Sequence, residues 1–288
     1  MMLRWLVSNW MRQTARGKLQ EVVADVARGQ QGAAMDAETE PPPPCEIAVV
    51  FALGIESGGL VDLLENAVTT RYQTHVEYAG FLGGRYVVIA DAGVGRDAAA
   101  QTARHLIALH HPPWIISAGF AGALHADLRR GHVLMADEVV DTTGQSLSIG
   151  LTVSRDDIEQ SPSLHMGRLL TVDEIVRTRS EKERLGGEHA ALACDMETLA
   201  TAQVCQELQT RFLSIRIISD AVDDELPAEI EALVAQQSLA GKLGAATGAI
   251  FKRPSSVKDM WKLKEDAIKA SDRLARFLAG VVAQLPKE

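Results

Sequence analysis

The chain has 288 residues, 47% hydrophobic and 23% charged, with a formal charge of −9. That length suits one sizeable α/β domain with a tail, and the acidic balance without any long Lys/Arg run excludes general nucleic-acid binding, which needs a basic face. No apolar run reaches the roughly 20 residues of a membrane span, and Cys45, Cys194 and Cys205 are odd in number without CxxC spacing. Neither a disulfide framework nor a zinc site is therefore indicated, which points to a reducing, cytoplasmic compartment and a small-molecule partner.

In chain order, MMLRWLVSNWMRQTARGK is no secretory signal, since Arg4, Ser8, Asn9 and Arg12 break its apolar stretch and no small-residue cleavage site follows. On a helix, Leu3, Leu6, Val7, Trp10 and Met11 share a face, with arginines around the rest. Such a helix docks on protein or, through residues 1–20, on a membrane surface. GQQGAAMDAETEPPPP reads as an extended linker. The expected organisation is an N-terminal segment, 1–44, and a folded domain, 45–288, that would carry the function.

CEIAVVFAL is a predicted strand and ESGGLVDLLENAV a predicted helix; HVEYAGFLGGRYVVIADAG reads as a hairpin turning at Gly83-Gly84. The helix DAAAQTARHLIALH, the strand PWIISAGF with a glycine-rich turn, and strands near GHVLMADEVV and GRLLTVDEIV follow. A helix around METLATAQVCQEL leads into the strand RFLSIRIISD, and helices fill the C-terminal part, ending with KEDAIKASDRLARFLAGVVAQL. Alternating strands and helices with interspersed hairpins predict a mixed sheet covered on both faces.

GVGRDA, residues 93–98, satisfies the letter of a G-x-G-x-x-A dinucleotide fingerprint. The next strand, however, lacks the terminal acid that holds a ribose hydroxyl, and the motif is not at the first strand. Its glycines still permit close backbone approach, and the helix start at Gly95 and Arg96 favours an oxygen-rich or anionic group. RFLSIRIISDAVDD is rich in β-branched residues, as a strand buried on both faces is, and ends in Ser219 and Asp220. That is where open α/β sheets place ligands.

Four segments read together, IAVVFALGIESGG, IISAGFAGALHADL, ALACDMETLATAQVC and IRIISDAVDD, resemble the purine nucleoside phosphorylase and nucleosidase superfamily. Within it they are most similar to the methylthioadenosine/S-adenosylhomocysteine nucleosidases, over roughly Cys45 to Leu226. The tail GAIFKRPSSVKDMWKLKEDAIKASDRL looks more like hopanoid-associated phosphorylases. The resemblance implies a three-layer α/β/α sandwich with a central mixed twisted sheet, a homodimer, and glycosidic-bond cleavage without metal or organic cofactor. By it, Asp220 gives a proton to purine N7, with its pKa raised by burial and Ser219 orienting it; Glu197 binds the ribose above Met196; and Glu56 activates the attacking water. Breaking an N-glycosidic bond leaves an electron-rich base and an oxocarbenium-like sugar, which such acids suit.

Gly119, Phe120 and Ala121 would line the substrate pocket, as would Ile175 and Val176, which replace the family's stacking phenylalanine. Phe120 stands where relatives carry serine. Arg216, inside an apolar strand, calls for a buried carboxylate partner. The implied reaction is hydrolysis releasing adenine from 5′-modified adenosines. The alternatives are phosphorolysis of a 5′-substituted, lipid-linked adenosine, with Gly95 and Arg96 contacting phosphate, and a catalytically silent nucleoside-binding or scaffold protein.

Overall fold

The structure, a computed structural model, describes residues 43–150, 161–227, 230 and 254–287. The helix and linker expected over residues 1–44 therefore lie, but for the last two residues, outside the described residues. Among the described residues, ten strands form one mixed sheet. They are β1 (Ile47–Phe51), β2 (Glu65–Arg71), β3 (Val76–Leu82), β4 (Arg85–Asp91), β5 (Trp114–Ala123), β6 (Val133–Asp141), β7 (Ser146–Ser148), β8 (Leu164–Thr171), β9 (Ala193–Asp195) and β10 (Arg211–Asp220). The described helices are α1 (Gly54–Val61), α2 (Arg96–His110), α3 (Arg179–His189), α4 (Thr198–Glu207) and α5 (Pro254–Gln284).

Parallel pairings β4–β1–β5–β10 form the buried centre, and the antiparallel hairpins β2–β3–β4 extend one edge. On the other side β10 also pairs β6, β6 pairs β8, β8 pairs β9, and β9 returns to β5. These five strands close a circuit, so the sheet curls upon itself there and both faces of β10 are covered, as its largely apolar, β-branched sequence requires. One face carries α1 and α5, which bury Leu60, Leu274, Leu278 and Val282 against Val49, Ile89 and Ile215. The other carries α2 and α4, whose Leu106 and Cys205 meet Ala48, Val88 and Ile115.

Several elements differ from expectation. The helix predicted over 56–68 ends at Val61, because Val68, Thr69 and Thr70 pair with β3 as an edge strand. Strand β5 does not turn at SAGF but continues to Ala123, since β10 runs beside it from Arg211↔Trp114 to Asp220↔Gly122. The helix α3 and the short strands β7 and β9 were not anticipated.

The long helix α5 is tied down at two places. Ser271 Oγ donates to the Glu56 carbonyl and accepts from Gly59 N–H, both at 3.0 Å. Arg85, almost fully buried, donates to the carbonyls of Val282 and Leu285 at 2.7 Å. A cation over the last-turn carbonyls satisfies groups a helix leaves open and complements its dipole.

Candidate active site

The carboxyl ends of β1, β9 and β10 converge beside β5, and each supplies or precedes one acid. Glu56 lies in the first turn of α1, immediately after β1. Its Oε2 accepts from the N–H groups of Ala52 and Leu53 at 3.1 and 2.9 Å, and its Oε1 accepts from Phe120 N–H at 2.8 Å. The first pair is a helix-capping contact; the third fastens the acid to β5. Burial pushes the Glu56 carboxyl up, against the lowering effects of the Phe120 N–H and the Arg216 charge. A carboxylate so held accepts a proton more readily than one in water.

Glycine is required on β5 opposite this acid. A Cβ at Gly119, where φ is 156°, would stand 2.7 Å from Arg216 Nη1 and 2.9 Å from Glu56 Oε1. Arg216 sits between the acids: its Nη2 donates to Asp195 Oδ2 at 2.6 Å, Ser117 Oγ at 2.7 Å and Thr198 Oγ1 at 2.6 Å. The buried carboxylate that Arg216 called for is thus Asp195. Asp195 also accepts from Thr171 Oγ1, Thr198 N–H and the Thr198 hydroxyl. It is saturated by the protein and serves to hold Arg216.

Glu197, at the start of α4, is half-buried, and its Oε1 accepts from Gly95 N–H at 2.9 Å. The oxygen-rich group expected beside the glycine turn is this carboxylate; Gly95, with φ at 99°, adopts a backbone conformation that side chains disfavour. Loss of solvent and the neighbouring Asp195 charge push the Glu197 carboxyl up to about 8, despite the Gly95 N–H and Arg216.

Asp220 ends β10 through an irregularity. Ile218 pairs Ala121 and Asp220 pairs Gly122, so Ser219 is an extra residue and the strand bulges. Bulges beside active sites re-aim side chains. Here Ser219 Oγ donates to Asp220 Oδ1 at 2.6 Å and lies 3.2 Å from the Ala121 carbonyl oxygen. The other oxygen departs from expectation. Lys182, fully buried on α3, donates to Asp220 Oδ2 at 2.5 Å and to the carbonyls of Ala221 and Asp224 at 2.9 and 2.8 Å. Asp220 is buried, but its surroundings are a lysine ammonium rather than the apolar strand end alone. The sequence reading missed Lys182. The available signal was SEKERL, where a charged residue shares the inward i, i+3 face with Leu185.

The remaining expected residues fall as follows. Val176 is buried in the cluster of Leu124, Val140, Leu170 and Leu185, with Met196 half-buried against it. Its side chain is thus committed to the core, and Ile175, half-buried, is the member of that pair with surface left for a base. Phe120 is half-buried against the main core, and Ala121 is buried next to Gly122. Arg96 does not project freely: it pairs with Asp141 at 3.0 Å and Asp173 at 2.8 Å, and donates to the Thr171 carbonyl at 3.1 Å. Both groups considered for phosphate, Gly95 N–H and Arg96, are therefore engaged within the chain.

Three acids at or just after the carboxyl ends of β1, β9 and β10 on a curled mixed sheet define a class: the chain belongs to the phosphorylase superfamily, whose family model matches residues 46–163 and 151–249. Its family within that class is that of the 5′-methylthioadenosine/S-adenosylhomocysteine nucleosidases, as the bacterial relatives show. One from Exiguobacterium sp. is 30% identical over 191 residues, covering 57% of this chain and 82% of the relative. Among solved structures, the S-adenosylhomocysteine nucleosidase of Streptococcus pyogenes superposes with a TM-score of 0.63 at 20% identity, covering 85% of this chain and 99% of its own. The futalosine hydrolase of Helicobacter pylori gives 0.63 at 19% identity, with 84% and 98% covered. At these identities the structural likeness speaks to the fold.

Proposed function

We propose that the protein hydrolyses the N-glycosidic bond of purine nucleosides and releases adenine from 5′-modified adenosines of the 5′-methylthioadenosine and S-adenosylhomocysteine type. The observation that carries this reading is that Glu56, Glu197 and Asp220 lie at or just after the carboxyl ends of β1, β9 and β10, each oriented by a hydrogen bond from the protein: Phe120 N–H, Gly95 N–H and Ser219 Oγ respectively. Such preorganisation is what a site needs to stabilise charge that develops only in the transition state.

In this reading the Asp220–Lys182 pair supplies the proton that N7 takes as the base departs, with Ser219 fixing the carboxyl plane. Glu197 accepts hydrogen bonds from the ribose hydroxyls and, when ionised, faces the cationic sugar. Glu56 takes a proton from water attacking the sugar carbon. The base lies against Ile175, and Met196 supports the ribose from below. Because Gly95 N–H and Arg96 are occupied, water is favoured over phosphate as the nucleophile. The relatives' family also favours a homodimer in which the partner closes the 5′ pocket. The three cysteines, all free and buried, suit a reducing cytoplasm. No helix among the described residues is long and apolar enough to cross a membrane, and residues 1–20 supply a peripheral contact with an anionic bilayer.

The test is a panel of 5′-methylthioadenosine, S-adenosylhomocysteine, adenosine and inosine, with free base measured by chromatography. The expected result is adenine release fastest from a 5′-thio substrate. Binding without release of any base would support the silent nucleoside-binding protein instead. Separately, sedimentation of the full chain with anionic liposomes, compared with a chain beginning at Cys45, tests the membrane contact; equal, negligible binding by both removes it.

A further inference from the structure

A second cluster of chemistry-bearing side chains lies between β3 and α2 and takes no part in the cleft. Glu77 projects from β3, His75 immediately precedes that strand, and His105 and His110 come from the last two turns of α2. At 1.5 Å of rise per residue, His105 is about 14 Å along the helix from Arg96. His75 Nε2 lies 2.9 Å from Glu77 Oε1, His105 Nε2 3.5 Å from the same oxygen, and His110 Nε2 2.9 Å from Oε2. One ligand atom from each of His75, Glu77 and His105 falls within 4.8 Å of the other two.

From this arrangement we infer that His75, Glu77 and His105 form a binding site for a divalent first-row transition-metal ion such as zinc, with His110 as the outer partner that holds the carboxylate.

Hydrogen bonding alone does not account for the cluster. His75 and Glu77 are almost fully buried, and His105 Nε2, shielded from solvent, makes no hydrogen bond among the described residues. Buried polar nitrogens are normally satisfied, and one without a protein partner calls for an explanation such as a bound ion. An ion among these three atoms would satisfy all of them at once. Tetrahedral zinc with bonds of about 2.0–2.1 Å separates its ligand atoms by about 3.3 Å, so small side-chain rotations suffice.

The surroundings fit the same purpose. Thr74 Oγ1 stands 2.9 Å from His75 Nδ1. A hydroxyl both donates and accepts, so it can accept a hydrogen bond from Nδ1–H when Nε2 turns its lone pair to a metal. The Tyr72 ring stacks on His75 at 4.7 Å and meets His105 edge-on at 4.6 Å, closing the site and fixing both imidazoles. Two imidazoles and a carboxylate suit zinc, nickel or copper far better than magnesium or calcium. Zinc bound here would clamp β3 to the end of α2, the helix whose start carries Gly95.

The test uses tag-free, chelator-stripped full-length protein and zinc chloride, with zinc measured by equilibrium dialysis and elemental analysis. About one zinc per chain is expected. His105→Ala should abolish this stoichiometric uptake, and His110→Gln should weaken it by about 10–100-fold, the usual effect of losing an outer partner. His132→Ala is the control, because His132 and His165 form a separate pair 2.9 Å apart; zinc lost only in that variant overturns the proposal. Equal uptake by wild type and His105→Ala, or none by either, also overturns it. Circular dichroism checks that His105→Ala folds. Should it not, cobalt added to the His132→Ala protein decides: strong visible bands of a four-coordinate, imidazole-bound ion support the site, and only the weak pink absorption of the hydrated ion refutes it.

Discussion

Asp220 and Lys182 are the residues whose partnership most changes what a substitution should do. Asp220→Asn keeps an oxygen to accept from Lys182 but cannot deliver a proton as a carboxylic acid does, so adenine release should fall about 10²–10⁴-fold with the fold retained. Asp220→Ala leaves the Lys182 ammonium buried without its carboxylate, and removing one partner of a buried pair costs about 3–5 kcal/mol. Denaturant unfolding should register that loss and show much of it recovered in Asp220→Ala/Lys182→Met, which stays inactive. Unchanged stability in Asp220→Ala would mean the pair is not formed. Glu197 gives a prediction in pH. Its carboxyl, raised to about 8 in the fold, binds its proton more tightly than in the unfolded chain. That stabilisation is complete below about pH 4.5 and is lost as pH rises towards 8. Glu197→Gln has no such proton to lose, so its unfolding temperature relative to wild type should climb between pH 5 and pH 9. A constant difference would show that Glu197 titrates normally.

At the scale of elements, β5 is the part on which the site depends. Gly119→Ala adds a Cβ into the space of Arg216 and Glu56. Overpacking of this kind costs about 1–3 kcal/mol, and displacement of a reacting group by about 1 Å can cost 10²-fold in rate. Turnover and thermal unfolding measured together should both fall; normal turnover would show that Glu56 need not be held by β5. The elements also show what the sequence made legible. β10 announced itself by Phe212 to Ile218, and the hairpin by Gly83-Gly84, both at positive φ, since in these places local pattern and tertiary demand agree. The extension of β5 through Gly119 and Gly122 was not legible, because glycines that read as a turn are there to make room for Glu56 and Asp220. Nor was α3: its inward face carries Lys182, a residue that periodicity assigns to solvent, and only the fold reveals the buried carboxylate it meets.

For the whole molecule, the three acids come from segments 164 residues apart in sequence, Glu56 to Asp220, and their identities were visible only through resemblance to a family. The curled sheet brings them together, and α5 braces the first of them through Ser271 and Gly59. The histidine–glutamate cluster escaped the sequence reading for the same reason, since its ligands lie on two elements with no metal-binding spacing between them. The central claim is that this assembly uses water rather than phosphate. It is tested most directly by following 5′-methylthioadenosine cleavage in phosphate-free buffer and after phosphate addition, with the sugar product identified by mass spectrometry. The expected result is a rate independent of phosphate and a free 5′-methylthioribose; a rate that is negligible until phosphate is added, with a sugar 1-phosphate as product, would contradict it.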